Sequence, residues 1–554
     1  MDDLPSLRAA LDADLRRTLG FLPRQVPADV LPDEWQPWLN AARDLAERFT
    51  GEGARAWLAA SFSTESAGMG PSDALAAAAT NLPEPEADRL LTTLSVLGHA
   101  YRWDRVPPEP EEYQRTKIEL PMGLAAPWAA LCARYGHPRV GNLASMVTSN
   151  WRISGKRGGD GYDAVELLDG AADPAVLWLS GEKADALRAF LRTGIETEAA
   201  GARLVLTAVR LVESALARNA HRCGWLLERL HGELAAMGKP FKAYIQRQHF
   251  TGDDFLTLIQ PATLWGIDEG EGILEGASGP QLGCLQVADA ILGVSRASPM
   301  GESVMRTRRF LPARHRRFLE CADVVGPQVR AYIRGSGDRQ LAGLFNACAS
   351  ALKAWRLVHQ KRGAMYLRSE TAGVAAAYTS TGGVVALEDE RVARFEGAMQ
   401  ERITETDDVF IPLDAEPDAP RPFRFLSELD ALALHAAAWR RDVADGGILL
   451  AKNTRGAGLF VLRAGTAEVR DGVGTPLATL EPGDVFGEVS YIDNVPTVAE
   501  VVAVGSAIVD VLPREHLHVL CETRAGFGER FHLSLAGILA DRLRLMNARV
   551  SGAE

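Results

Sequence analysis

Ala354-Trp355-Arg356-Leu357-Val358-His359-Gln360-Lys361 sets a histidine in a stretch of helical periodicity, with Arg356 one turn before it on the same face. A lone histidine in such a place is usually a satisfied core or surface residue. Three distant segments alter that expectation: Phe190-Leu191-Arg192-Thr193-Gly194, Gly276-Ala277-Ser278-Gly279-Pro280-Gln281 and Thr379-Ser380-Thr381-Gly382-Gly383. They offer an aromatic wall, a loop of small residues whose backbone can approach a ligand closely, and a glycine pair able to absorb backbone movement.

Working outward from His359, residues 183–217, 221–237, 281–293, 314–333 and 339–367 all carry apolar side chains at three- and four-residue spacing. Residues 1–403 therefore read as an all-α domain with a small helical part over about 1–120. Between 404 and 425 the chain turns acidic and collects Pro412, Pro417, Pro420 and Pro422, a composition that disfavours helix and suits a linker. Beyond it, over 426–550, a helix at about 426–443 precedes short β-branched runs separated by Gly, Asp and Asn. These runs are 448–451, 458–463, 466–470, 477–480, 498–503 and 507–512. Their spacing predicts a small β-roll closed by a helix over about 529–549.

At 554 residues the chain exceeds one ordinary core. Its net charge of -12 argues against a nucleic-acid partner, because phosphate binding draws on clustered Lys and Arg. The six cysteines lie far apart without a CxxC pair, so neither a disulfide framework nor a zinc ribbon is expected. With no signal-like start and no long apolar run, the expected location is the cytoplasm, with no membrane partner.

Residues 99–402 resemble the indoleamine 2,3-dioxygenase superfamily of haem proteins. The resemblance rests on His99-Ala-Tyr-Arg-Trp, Leu120-Pro-Met-Gly-Leu-Ala-Ala-Pro, Asn150-Trp151, the Gly276 loop, Arg309-Phe-Leu-Pro-Ala-Arg-His315-Arg, His359 and Thr381-Gly-Gly, in the family's order. It implies haem b bound through His359, with Asp289 and Arg356 as an ion pair bracing the proximal side. Gly276, Ala277, Ser278 and Gly279 would lie along the haem edge. Phe190 and Phe255 would wall the substrate pocket, and Gly194 stands where a small hydroxyl residue is common. The departure is Gln260, followed by Pro261, where tryptophan-oxidising members carry an arginine that clamps the substrate carboxylate. A neutral amide has neither the charge nor the bidentate fork of a guanidinium.

Residues from about 430 to 549 resemble a cyclic-nucleotide-binding domain, on Gly465, Leu480-Glu-Pro-Gly-Asp-Val-Phe-Gly-Glu488 and the segment that follows. The resemblance implies a short helix near Gly487 facing a cyclic phosphate, and Glu488 accepting from a ribose hydroxyl. Thr497 stands where the family places its phosphate-binding arginine, so weak or absent cyclic-nucleotide binding is expected. The domain would then serve packing or homodimerisation, drawing on Phe531, Leu533, Leu535, Ile538, Leu539, Leu543 and Leu545. Three functions stay open at this point: O2 insertion across the C2–C3 bond of an indole-like substrate, a different haem-dependent indole rearrangement, and a haem-based sensor without turnover.

Overall fold

The computed structural model describes residues 6–63, 72–168, 170, 172–174, 179–270, 272–368, 388–412, 423, 425–426, 430, 433–434, 438–455, 458–524 and 526–550. The Thr379–Gly383 loop lies outside the described residues. Two compact units result: Met1–Ile333 with Arg339–Pro412, and Arg334–Asp338 with Leu413–Glu554.

The first unit is built on helices α1 (Glu84–Trp103), α2 (Met122–Tyr135), α3 (Gly181–Leu216), α4 (Ala220–Tyr244), α5 (Gly283–Leu292), α6 (Ala313–Val325), α7 (Arg339–Tyr366) and α8 (Glu388–Asp407). α1 is buried on almost every face, so even its polar residues Thr92, Thr93, Ser95 and His99 lie in the interior. α3 and α4 form a helical hairpin whose return is fixed by Asn219, the side chain of which accepts from Arg222 N and caps α4. α7 packs on α4, and α8 packs on α7.

The unit is helical, as expected, and three other expectations need correction. Two short ribbons interrupt the helices: strands β1 (Trp151–Ile153) and β2 (Ala172–Pro174) pair, as do β3 (Leu264–Asp268) and β4 (Ile273–Gly276). The β3–β4 turn is made by Asp268, whose Oδ1 accepts from Gly270 N at 2.9 Å and Gly272 N at 3.1 Å, local chemistry that outcompetes a helix. The single helix expected over 314–333 is two, because α6 ends at Val325 and Pro327, lacking an N–H, starts a new one. α8 runs to Asp407, into the expected linker, because Glu405 and Thr406 are buried and bonded to Arg402. Finally, Trp439–Val443, placed in a helix by the sequence, is strand β5, held in register by the last long strand of the sheet.

The second unit is an antiparallel sheet of six strands in which β5, β10 (Glu500–Leu512), β7 (Leu459–Arg470) and β8 (Pro476–Leu480) follow one another. β6 (Ile448–Leu450) pairs with β10, and β9 (Val485–Phe486) with β7. The twelve-residue β7 and thirteen-residue β10 each fuse two runs that the sequence separates. The joint in β7 is Gly465, at φ +81°, where a Cβ would sit 2.2 Å from Ser506 O, so only glycine lets the strands approach there. Short helices α9 (Glu488–Asp493) and α10 (Arg514–Thr523) and the long α11 (Phe527–Val550) complete the unit. Phe531 and Leu535 of α11 are fully buried in the unit's own core, Ile538 packs against it, and Leu533 and Leu543 stay exposed. Of the face expected for dimerisation, Phe531 and Leu535 are thus spent inside the domain, and the side chain of Leu545 lies outside the described residues. Among the described residues no helix is long and apolar enough to cross a membrane.

Candidate functional site

His359 projects from α7 into a ring of aromatics. Phe241 lies edge-on at 5.2 Å, Phe395 edge-on at 5.5 Å, and Trp355, one turn earlier, tilts over it at 5.1 Å between centroids. Burial in this apolar setting pushes the imidazole down to about 4, so it is neutral near pH 7 and keeps a lone pair free to bind a metal. Its Nδ1 and the neighbouring Trp355 Nε1 are buried without a hydrogen-bond partner among the described residues. Among those residues no group of three or more His, Cys, Asp or Glu could hold a metal ion. A metal at His359 must therefore bring most of its own donors. Haem would do so, needing from the protein an imidazole and an apolar bed, and His359 with its aromatic surroundings fits that demand.

One turn before His359, the buried Arg356 pairs with Asp289 of α5. Arg402 of α8 takes the second carboxylate oxygen at 2.5 Å and also pairs with Glu405, while Arg356 donates to Arg402 O at 2.8 Å. Burial alone would raise the Asp289 carboxyl, but the two guanidiniums hold it below the usual carboxylate range. The network ties α5, α7 and α8 together beneath His359. The family resemblance pointed to Asp289 and Arg356; it missed Arg402 and Glu405, which sit at the predicted domain edge and carry no motif.

Two turns further along α7, Tyr366 meets Phe250 at 4.8 Å, and Phe190 of α3 packs at 6.5 Å from Phe250 and 6.0 Å from Phe255. Phe190, Phe241, Phe255 and Ala277 all pack on one apolar cluster, which brings the expected pocket residues and the wall beside His359 onto a shared core. Phe255 opens a π-helical turn, Phe255–Ile259, an irregularity that concentrates at functional sites. Gln260 follows directly, 3% exposed, between Ile259 and Ala262 of the same cluster. Gly194 is glycine for a packing reason: a Cβ there would lie 2.7 Å from Val147 Cγ1, so Val147 occupies the space a hydroxyl side chain would need.

The Gly276 loop leaves β4 pressed against β3. A Cβ on Gly276 would meet Thr263 O at 2.0 Å, whereas one on Gly279 would meet nothing within 4 Å. Gly276 is therefore demanded by the protein's own packing, and Gly279 faces open space. Ser278 between them has a buried Oγ without a partner among the described residues. The loop is pinned by Gln281, whose Nε2 donates to Gly276 O at 2.7 Å and whose Oε1 accepts from Leu143 N at 2.8 Å. The loop then enters α5, whose first N–H groups meet a buried carboxylate: Glu198 of α3 accepts from Gly283 N at 2.5 Å and Cys284 N at 3.4 Å. Desolvation nevertheless pushes Glu198 up to about 7. No sequence motif announces Gln281 or Glu198, since their meaning comes only from the partners the fold supplies.

In the second unit, Gly487 at φ +87° starts α9, as the cassette resemblance implies, and Glu488 is its first residue. Glu488 is 2% exposed and paired with Arg542 of α11, which also donates to Val485 O. Thr497 has a local job: its Oγ1 donates to Ala451 O at 2.7 Å and accepts from Thr454 N at 3.0 Å, clasping the β6–β7 loop.

Against known proteins, residues 440–524 match the cyclic nucleotide-binding domain family. Indoleamine 2,3-dioxygenase 2 of Homo sapiens is 23% identical over 344 residues, covering 59% of this chain and 77% of that protein. Indoleamine 2,3-dioxygenase 1 of Rattus norvegicus is 24% identical over 361 residues, covering 60% and 78%. The indoleamine 2,3-dioxygenase family itself matches residues 10–394, a span that takes in His359, the Asp289–Arg356 pair and the aromatic cluster around Phe190, and the chain accordingly belongs to that family of haem-dependent dioxygenases.

Proposed function

We propose that the chain adds O2 across the C2–C3 bond of an indole that lacks a free carboxylate. The observation that carries this is Gln260, buried and neutral at the position the resemblance gives the carboxylate clamp, in the turn that follows Phe255 of the Phe190, Phe250 and Phe255 aromatic cluster. A desolvated carboxylate without a cation is costly to bury, while an uncharged indole gains from the same aromatic walls. Haem, when bound, supplies the binding and activation of O2. The chain's own residues would do the rest: His359 would hold the cofactor, and the Asp289, Arg356 and Arg402 network fixes the helix that presents it. The phenylalanines orient the ring and exclude water. Ser278 Oγ offers a hydroxyl at the loop edge that can orient a polar substituent.

The carboxy-terminal unit we read as a packing module, because Glu488 is engaged by Arg542 and Thr497 by the β6–β7 loop. We place the protein in the cytoplasm, a reading supported by six thiols among which no disulfide forms in the described residues.

Product analysis tests the function. Haem-loaded wild type, Gln260→Arg and His359→Ala are incubated with indole derivatives and L-tryptophan in the presence of O2 and a reductant. Ring cleavage of uncharged indoles, abolished in His359→Ala, is expected. L-Tryptophan should be poor in the wild type and gain about 10- to 100-fold in kcat/KM from Gln260→Arg, the size of one charge-assisted clamp. A rearranged ring product would assign the alternative indole chemistry, and haem-dependent spectral shifts without any product would assign a sensor. Efficient tryptophan cleavage by the wild type, with no gain from Gln260→Arg, would overturn the role given to this residue.

A further inference from the structure

Away from the His359 site, an open cleft of about 480 Å³ lies where the end of α2 meets α6. Its volume falls within the range of small-molecule sites, roughly 300 to 1,000 Å³. Ala133, Pro138 and Met305 give it apolar walls, and Arg309, Arg316 and Glu320 bring charge. Arg308 also lines it, but that guanidinium is spent on Asp323 and Gln286.

Arg316 differs from its neighbours. Its Nη1 donates to Gly136 O at 2.7 Å and Leu311 O at 2.9 Å, which fixes the guanidinium plane against the αL residue ending α2 and the turn leading into α6. Its Nε and Nη2 donate to no described residue, and no carboxylate pairs with it there. Those two nitrogens form the parallel edge that suits a carboxylate, and because the plane is already pinned, little side-chain freedom remains to be lost on binding. Glu320, one turn further along α6 on the same wall, disfavours a doubly charged anion.

We propose that this cleft binds a small monocarboxylate with an apolar or aromatic body, the carboxylate lying across the Nε–Nη2 edge of Arg316 and the body against Pro138 and Met305. The site is separate from the indole pocket, and it holds whether or not the substrate proposed above is right.

Benzoate is the probe, with benzamide as its neutral counterpart, titrated into the haem-loaded full chain by calorimetry while the Soret band is followed. Saturable benzoate binding with an unmoved Soret band is expected, with benzamide much weaker. Arg316→Gln should weaken benzoate about tenfold or more, the equivalent of about 1.4 kcal/mol. Arg316 also braces backbone carbonyls on which the fold depends, so Glu320→Gln, at an exposed position, supplies an independent arm and should tighten benzoate several-fold. Absence of saturable binding, equal binding of benzamide, or a benzoate affinity unchanged by Glu320→Gln in the folded protein would overturn the proposal.

Discussion

In the helical unit and in the β unit the resemblances set a neutral residue, Gln260 and Thr497, where an arginine would meet an anion, and the two structures surround these residues differently. In the helical unit Gln260 is buried beside Ile259 and Ala262, and Ser278 Oγ and His359 Nδ1 are buried without partners among the described residues. At Thr497 the hydroxyl is consumed by Ala451 and Thr454, and the remaining recognition residue, Glu488, is consumed by Arg542. Buried polar atoms left without partners in the helical unit and engaged ones in the β unit are the contrast on which the two proposed functions rest.

The largest expected effect is on the network beneath His359. Asp289→Ala leaves Arg356 and Arg402 buried with Glu405 as their remaining carboxylate, and should cost about 3 to 5 kcal/mol in the helical unit, read by denaturant titration with a helical probe. Asp289→Asn keeps the shape but not the charge and should lose most of that stability, a result that assigns the effect to charge rather than packing.

Next comes a pH effect at Glu198. Its carboxyl titrates near 7 in the fold against 4.5 as the ordinary value, so the fold prefers the neutral form. Its contribution is full below pH 4.5 and is lost as the pH rises through 7, on the order of 3 kcal/mol. The stability difference between wild type and Glu198→Gln, which stays neutral, should shift by that amount over this window. A flat difference would mean that Gly283 N and Cys284 N keep the carboxylate charged throughout.

Arg542→Ala sharpens the comparison from the β side. Breaking its pair with the buried Glu488 should cost about 1 to 3 kcal/mol in the second unit, and cyclic AMP should still fail to bind by calorimetry, because no arginine stands at 497. Micromolar binding that appears in Arg542→Ala would instead show a competent cassette held shut by its own helix. The smallest effect belongs to Thr497→Val, which removes two hydrogen bonds at the β6–β7 loop and should cost about 1 to 2 kcal/mol.

Much of this was legible in the sequence where local periodicity and fold agree. α3, α4, α5 and α7 follow their apolar spacing closely, and the ordered motifs around His359 identify the family. What escaped has physical causes. Trp439–Val443 carries no strong strand pattern and becomes β5 only through its pairing with β10. Gly465 reads as a turn between two strands, whereas its positive φ joins them into one. Arg402, Gln281, Glu198 and Arg542 are ordinary polar residues in their own segments, and each acquires its role from a partner more than fifty residues away.

A Soret titration of the purified haem-loaded protein bears most directly on the difference between the two units. Indole should shift the band saturably in the wild type, L-tryptophan should leave it unchanged until Gln260→Arg is introduced, and His359→Ala should lack the band's native form altogether. A wild-type protein that responds to L-tryptophan as strongly as to indole, or a His359→Ala variant with an undiminished Soret band, would contradict the assignment of the pocket.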